Sequence, residues 1–189
     1  MATIPDSIIL GCWVIFLAYW LISAFGQKAT VEQKSFLSTL IYRTPLTLGG
    51  LLLWYPKFSG PLNLALTPHT NLARAFGAAV CVAGLWVAIW SRRTLAGNWS
   101  SEVAFKRGHE LVKTGPYRFA RHPIYTGLLL MCLGTAVAVG KLHSWLGFLL
   151  LGIGFWIKLK QEEVLMLQHF PDEYPAYCKR VKALVPFVI

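Results

Sequence analysis

Long apolar stretches alternate with short polar segments along the chain. Five stretches carry no formal charge except at Arg43, and they cover residues 7–27, 35–56, 75–91, 122–140 and 142–157. A helix rises about 1.5 Å per residue, so about 20 residues cross a hydrocarbon core of about 30 Å. The pattern therefore predicts an all-α, polytopic membrane protein with about five transmembrane helices, the last two forming a tight hairpin around Lys141. A cytoplasmic connector and a C-terminal helical tail complete this architecture.

The first stretch also invites comparison with a cleaved signal peptide. No Lys or Arg precedes it, only Asp6, and its 21 residues exceed the usual apolar region of such a peptide. We therefore expect it to be a retained transmembrane helix.

Composition agrees with a membrane protein. Of the 189 residues, 56% are hydrophobic and 14% are charged, whereas an ordinary soluble domain has roughly 25% charged residues. The net charge of +10 alone would suggest a nucleic-acid-binding protein, but the mean hydropathy of +0.53 excludes that class and a soluble enzyme. The four cysteines show no CxxC spacing and the five histidines no HxxxH spacing, so we expect no disulfide framework and no metal site.

The basic residues fall into two sets if successive spans alternate in direction. Three lie on one side, Lys57, Arg74 and Lys141. Fifteen lie on the other, namely Lys28, Lys34, Arg43, Arg92, Arg93, Lys106, Arg107, Lys113, Arg118, Arg121, Lys158, Lys160, Lys179, Arg180 and Lys182. The positive-inside rule places the fifteen in the cytoplasm and the N-terminus outside. Arg43 lies inside the second span, where snorkelling to the near interface is favoured over a functional role.

Polar sequence is concentrated in the connector, residues 92–121, and in the tail after Trp156. Both segments are expected on the cytoplasmic side, where an enzyme of the membrane could meet a soluble cosubstrate. We divide the chain into a three-span membrane region, 1–91, and a catalytic half, 92–189, which together form one domain.

The connector ends in a sequence suited to ligand binding. Gly115-Pro116 indicates a turn, and Pro123 is placed to begin the fourth span. Because a residue before proline avoids the α region, His122 is expected to be extended at the helix entrance, where its imidazole and free backbone N–H groups can face an anionic ligand. Tyr125 follows in the first helical turn. The alternative is a basic, aromatic anchor at the membrane interface.

The tail offers a complementary pair of charges. Lys158 and Glu162 are four residues apart and share a face of a helix that continues the fifth span, whereas Glu163 is expected to point elsewhere. Glu162 could bind a cationic cosubstrate, although an ordinary surface ion pair is the alternative. The aromatic segment 170–177 is expected to fold back as an interface anchor.

These motifs together resemble the isoprenylcysteine carboxyl methyltransferase family. The resemblance covers about half the chain, residues 97–186, and rests on the segments His109-Glu110-Leu111-Val112, Gly115-Pro116-Tyr117, Arg121-His122-Pro123-Ile124-Tyr125, Glu162-Glu163 and Phe170-Pro171-Asp172-Glu173-Tyr174. The Arg-His-Pro-x-Tyr block alone is shared with related membrane methyltransferases and with some membrane sterol reductases.

The resemblance implies an S-adenosylmethionine-dependent methyltransferase that holds its cosubstrate without a Rossmann domain. It implies that the cosubstrate is contacted by His109, Glu110, Leu111, Val112, Tyr117, His122, Pro123, Ile124, Tyr125 and Glu162. A basic residue at position 158 is associated with the acceptor carboxylate; the family usually has arginine there, and Lys158 cannot form the same planar fork. Arg121 is a weaker acceptor-binding candidate.

The expected function is therefore methylation of the α-carboxylate of a prenylated cysteine or a similar lipophilic acid. The acceptor would come from the bilayer and the cosubstrate from the cytoplasm, at the inner membrane of a prokaryotic cell or the endoplasmic reticulum of a eukaryotic one. Membrane lipids, and no nucleic acid, are the expected partners. Three alternatives stay open: methylation of a lipid amine or thiol, a nicotinamide-dependent membrane reductase, and a non-enzymatic scaffold, against which the dense polar motif argues.

Overall fold

The part of the chain that the structure describes contains six α-helices. The computed structural model describes residues 3–26, 30–33, 35–55, 57–100, 102–106, 108 and 110–185. The helices within these ranges are α1 Ile4–Ser23, α2 Phe36–Trp54, α3 Asn71–Leu95, α4 Pro123–Val139, α5 Leu142–His169 and α6 Glu173–Arg180. Four of them, α1, α2, α3 with its extension to Asn98, and α5, are long and apolar enough to cross a membrane. The prediction of an all-α polytopic membrane protein is confirmed.

The fourth helix is shorter than the other spans. Helix α4 has 17 residues, which is the lower limit for crossing a bilayer. Gly140 ends it with φ of 68°, a left-handed conformation that suits glycine, and Lys141 caps the start of α5. The predicted hairpin thus turns within two residues.

Glycines decide which helices pack closely. A Cβ atom added at Gly77 in α3 would lie 2.5 Å from the carbonyl oxygen of Gly134 in α4. The same relationship joins Gly49 in α2 to Gly147 in α5, at 2.8 Å. Helix α4 therefore packs tightly on α3 and α5 on α2, because small residues let helix backbones approach. These contacts join α3 to α4 and α2 to α5.

The tail folds back onto the start of α4. Helix α5 extends past the apolar span to His169, and the short helix α6 reverses the chain. The backbone N–H groups of Arg121 and His122 donate to the carbonyl oxygens of Lys182 and Ala183, at 2.8 and 2.9 Å. These N–H groups are therefore not available to a ligand, contrary to our expectation for His122. The backbone of His122 has φ −123° and ψ 59°. This conformation lies outside the helical region, but it is not the fully extended one that we expected.

A small β-ribbon, which the sequence pattern does not predict, lies beside the helices. Strand β1, Thr30–Gln33, pairs antiparallel with β2, Ala104–Lys106. The ring of Phe105 stacks on that of His169 with centroids 3.6 Å apart. The connector is thereby attached both to the segment after α1 and to the end of α5.

An arginine clamps α1 to α3 at the same end of the bundle. Arg92 is buried, and its guanidinium donates to the carbonyl oxygens of Ser23 and Ala96 at 2.6 and 2.7 Å. It also lies 4.5 Å from the ring centroid of Trp99. Since the guanidinium remains charged, these carbonyl acceptors offset part of the cost of burying it.

Candidate active site

The two polar segments meet around one cavity of about 310 Å³. This volume lies at the small end of the range for ligand sites, about 300–1,000 Å³. The walls come from α1, α4, α5, α6 and the connector, and they are mostly apolar and aromatic. The cavity lies at the end of the bundle where α4 begins, the end at which the sequence predicted the chemistry.

Nine of the twelve predicted site residues line this cavity: Leu111, Val112, Tyr117, Arg121, His122, Ile124, Tyr125, Lys158 and Glu162. Pro123 is buried as the first residue of α4 and is not part of the lining. Glu110 is exposed and also lies outside the lining. His109 lies outside the residues that the structure describes.

Glu162 is held on the cavity wall by two residues of the α4 entrance. The Tyr125 hydroxyl donates to Glu162 Oε1 at 2.5 Å, and His122 Nδ1 lies 3.5 Å from Glu162 Oε2. The rings of His122 and Tyr125 are nearly parallel, with centroids 5.7 Å apart. The sequence prediction that Tyr125, His122 and Glu162 share a site is thus matched by their positions, and the carboxylate is a fixed negative charge in a largely apolar cavity.

Glu163, which was expected to point away from the face shared by Lys158 and Glu162, is not part of the cavity lining. Arg121 donates to Glu163 Oε1 through Nε at 3.0 Å and also through Nη2, and a third donor, Nη1, reaches the carbonyl oxygen of Val181. His122 Nε2 lies 3.5 Å from Glu163 Oε1 but makes no hydrogen bond of acceptable geometry within the described residues. Glu163 thus faces the α4 entrance, and most of the donors of Arg121 are directed to Glu163 and the tail.

Lys158 lies one helical turn before Glu162 on the same face of α5, as predicted. Its side chain is buried, and Nζ lies 5.5 Å from the ring centroid of Tyr42 and 5.6 Å from that of Tyr125. Aromatic faces stabilise a desolvated ammonium. The cavity therefore presents one anionic and one cationic side chain in an aromatic setting.

Several aromatic residues of the cavity wall were not predicted from the sequence. Tyr174 and Tyr177 of α6 were expected to be interface anchors, but they are buried and line the cavity. The Tyr177 hydroxyl donates to the carbonyl oxygen of Tyr117, so α6 is attached to the connector. Trp20 of α1 and Trp99 of the connector also line the cavity, with centroids 6.0 Å apart. Their types were visible in the sequence, but their common location depends on the chain reversal after α5.

Burial and charge shift the pKa values around the α4 entrance. Burial lowers the pKa of His122, but its contacts with Glu162 and Glu163 outweigh this effect, so its pKa lies above the ordinary value. Burial raises the pKa of Tyr117, and the charge of Glu162 adds to the increase. His122 is thus favoured as a cation, and Tyr117 stays protonated at neutral pH.

This shift predicts a pH dependence of stability. A histidine whose pKa is higher in the folded than in the unfolded state contributes stability below the unfolded value, about 6.5, and loses it as the pH rises through the folded value. We expect the melting temperature without cosubstrate to fall as the pH rises above about 6.5. In His122→Gln this part of the pH profile should flatten, as measured by thermal unfolding in detergent. An unchanged slope would contradict the assignment to His122.

The arrangement suits a ligand with a positive charge and an aromatic or apolar body. Glu162 is an anion fixed in a cavity that is largely apolar, where charge interactions are stronger than in water. S-adenosylmethionine, the cosubstrate that the resemblance implies, carries a sulfonium, an ammonium and an adenine ring. The residues of the cavity fit it, because they supply a carboxylate for the cationic part and several aromatic surfaces.

Comparison with known proteins agrees with this chemistry. Residues 72–173, more than half of the chain, match the model of a family described as phospholipid methyltransferase. The match spans α3, the connector, α4 and α5. It therefore includes nearly all of the cavity residues described above except those of α1 and α6.

Curated relatives share a more specific name. The chain is 36% identical to protein-S-isoprenylcysteine O-methyltransferase of Schizosaccharomyces pombe over 48% of this chain and 40% of the relative. It is 32% identical to the protein of that name from Homo sapiens, over 50% of this chain and 34% of the relative. The Xenopus laevis protein is 24% identical over 94% of this chain and 62% of the relative. The chain spans about half or less of the length of most curated relatives that it matches.

Proposed function

Because the chain belongs to the phospholipid methyltransferase family, we propose that it is an S-adenosylmethionine-dependent carboxyl O-methyltransferase. Its proposed acceptor is the α-carboxylate of a prenylated cysteine or a similar lipophilic acid, bound at the cytoplasmic face of the membrane. The observation that carries this proposal is the pairing of Glu162 and Lys158 on one wall of an aromatic cavity at the membrane-helix ends. The names of the curated relatives support the same acceptor class.

Two opposite charges one helical turn apart suit two substrates of opposite charge. Glu162 would hold the cationic part of the cosubstrate, and Lys158 the carboxylate of the acceptor. Bound S-adenosylmethionine supplies an electrophilic methyl group on its sulfonium. Leu128 and Phe155 lie in the apolar part of the cavity and would contact the lipophilic chain of the acceptor.

Methylation of a carboxylate does not require the protein to remove a proton from the acceptor. Carboxylic acids with pKa values near 4 are ionised at neutral pH, so no general base has to remove a proton. The side chains instead orient the two substrates and exclude water, which can supply a large part of the rate enhancement. Tyr125 and His122 contribute by fixing the position of Glu162.

Arg121 has a different role in this proposal from the one that the sequence suggested. Its guanidinium is occupied by Glu163 and Val181, so it would position the tail rather than bind the acceptor. Lys158 is then the principal basic residue for the acceptor carboxylate. The lysine ammonium offers a point charge in place of a planar fork.

Substitution of Lys158 should act mainly on the acceptor. In Lys158→Gln we expect the KM for farnesylcysteine to rise about tenfold or more, because a charge-assisted contact is lost. The dissociation constant for the cosubstrate should change by less than about threefold, which is under 1 kcal/mol. Steady-state kinetics and calorimetry measure the two quantities. Lys158→Arg should retain most of the affinity, and equal losses for both substrates would contradict this division of roles.

Labelled methyl transfer tests the proposed reaction directly. The purified protein in detergent would be incubated with methyl-labelled S-adenosylmethionine and either farnesylcysteine or phosphatidylethanolamine. We expect label in farnesylcysteine that mild base releases as volatile methanol, which identifies a methyl ester. Base-stable label in the lipid amine would overturn the carboxylate proposal in favour of N-methylation. Failure to bind the cosubstrate would overturn both forms of methyl transfer.

A further inference from the structure

A second cavity lies at the opposite end of the bundle from the candidate active site. It has a volume of about 360 Å³ and is formed by α1, the end of α2, the start of α3 and the turn between α4 and α5. Its inner wall is mostly apolar and includes Ile9, Leu53 and Ala138, together with the polar residues Thr135 and His143, all buried. Its rim carries Arg74 and Lys141. The cavity therefore combines an apolar floor with a basic rim.

The basic rim is not explained by membrane topology. The sequence places only Lys57, Arg74 and Lys141 on this side of the membrane, where the positive-inside rule disfavours basic residues. Two of these three nevertheless line one cavity. The third, Lys57, is exposed and outside the lining. A local function for the two cavity cations accounts for their retention on the disfavoured side.

The acidic residue of the cavity neutralises this charge only in part. The carboxylate of Asp6 accepts hydrogen bonds from the backbone N–H and hydroxyl of Thr3 at 3.0 and 2.8 Å, which cap α1. Its contact with Arg74 Nη1 is longer, 3.5 Å. Arg74 Nε is buried and has no hydrogen-bond partner among the described residues. A buried donor of a charged group is costly without an acceptor. The Arg74 side chain as a whole is 26% exposed, so an anion can reach the exposed part of the guanidinium.

Lys141 is held at the rim by the backbone around it. The loop after α2 pairs with the α4–α5 turn, through an Ala65–Lys141 bridge and a hydrogen bond from Leu66 N–H to the Gly140 carbonyl oxygen at 2.8 Å. The Trp145 indole donates to Thr67 Oγ1 at 3.1 Å and secures the same loop. The backbone at Lys141 is therefore fixed against the loop that follows α2.

The cavity also opens toward the lipid-facing surface. Leu10 and Trp54 line it and are 58% and 45% exposed. On the inner side, Trp13 packs edge-on against Trp54 and donates to Thr135 Oγ1 at 3.0 Å. A ligand could thus reach the basic rim from the bilayer while its apolar part lies against α1 and α2.

We propose that this cavity binds an anionic phospholipid, with its headgroup phosphate at Arg74 and Lys141 and the upper part of an acyl chain on the apolar floor. Anionic headgroups are attracted by basic residues near the membrane surface, and a guanidinium forms two parallel hydrogen bonds with phosphate oxygens. The proposed lipid lies in the leaflet opposite the candidate active site. Its binding is independent of methyl transfer.

Native mass spectrometry of the delipidated protein tests this site. Titration with phosphatidylglycerol should show one lipid of highest affinity, and phosphatidylcholine should bind more weakly. In Arg74→Gln/Lys141→Gln this affinity should fall about tenfold or more. Lys57→Gln removes the same charge from the same side outside the cavity and should retain the affinity. An equal loss in Lys57→Gln, or no loss in the double variant, would overturn the proposal.

Two further measurements separate loss of the lipid site from loss of stability and from binding of a free anion. Lys141→Gln alone leaves the Asp6–Arg74 pair in place, so it should lower the affinity without the instability that loss of Arg74 could cause. Inorganic phosphate is the second probe. If it binds as tightly as phosphatidylglycerol and displaces it, the site recognises a free anion, and the proposed lipid is wrong.

Discussion

Replacement of Gly77 by leucine should prevent α3 and α4 from packing in their native position. The Cβ atom of any residue at this position would lie 2.5 Å from the Gly134 carbonyl oxygen and 3.1 Å from Ala138 Cβ. These neighbours are backbone and a short side chain that cannot rotate away, so the helices must separate. We expect a loss of about 3 kcal/mol or more, the upper range for overpacked cores. Thermal unfolding and the yield of monodisperse protein in detergent measure this effect.

Gly11 provides the matched control for this prediction. It also lies in the interior of a long apolar helix, α1, but a Cβ atom there would meet nothing within 4 Å. Gly11→Leu should therefore leave the melting temperature unchanged or raise it slightly, because leucine has the higher helix propensity. If both variants were equally stable, α3 and α4 would not be in the contact described.

The sequence predicted the helices better than their partners. Uncharged length located five apolar helices, four of them long enough to cross a membrane, and Gly140 and Lys141 form the predicted turn between α4 and α5. The closest partners of these two helices, however, are α3 and α2. Glycine spacing of the kind seen at Gly77 is common in membrane helices, so the sequence alone gives it little weight. The structure identifies the contact, because it places the backbone of Gly134 directly against Gly77.

Elements formed by distant residues could not be predicted from local pattern. Strand β1 pairs with β2 across 70 residues of intervening chain, and neither strand has more than four residues. The tail likewise joins Lys182 and Ala183 to the backbone of residues 121–122. Short segments of this kind have no periodicity of their own, and their conformation depends on the tertiary contact.

In the candidate active site, helical spacing correctly predicted which residues of α5 share a face, but it could not predict which residues of other helices they contact. Lys158 and Glu162 face the cavity together because they are one turn apart. Glu163, which the same argument assigns to another face, does not line the cavity, but it pairs with Arg121 and approaches His122. The spacing of residues along α5 alone does not show that the start of α4 and the tail also pack against the side of α5 that carries Glu163. The aromatic residues of α6 were misplaced for the same reason.

Neutralising Glu162 should produce the largest loss of cosubstrate affinity. Glu162→Gln keeps the shape of the side chain and an oxygen that can accept from the Tyr125 hydroxyl, but it removes the negative charge from the cavity wall. Loss of one partner of a buried charge pair costs about 2–5 kcal/mol, so the dissociation constant for S-adenosylmethionine should rise about 100-fold. Isothermal titration calorimetry of the detergent-solubilised protein measures this change.

Glu173→Gln is the charge-matched control for Glu162→Gln. Glu173 pairs with Lys113, its side chain is 61% exposed, and it does not line the cavity. Its neutralisation should leave the cosubstrate affinity within about twofold, since exposed ion pairs contribute at most about 1 kcal/mol. Tyr125→Phe should give an intermediate loss, because Glu162 remains charged but loses the hydroxyl that holds it. If Glu162→Gln bound the cosubstrate as tightly as the unaltered protein, the cation would lie elsewhere in the cavity, and the division of roles between Glu162 and Lys158 would fail with it.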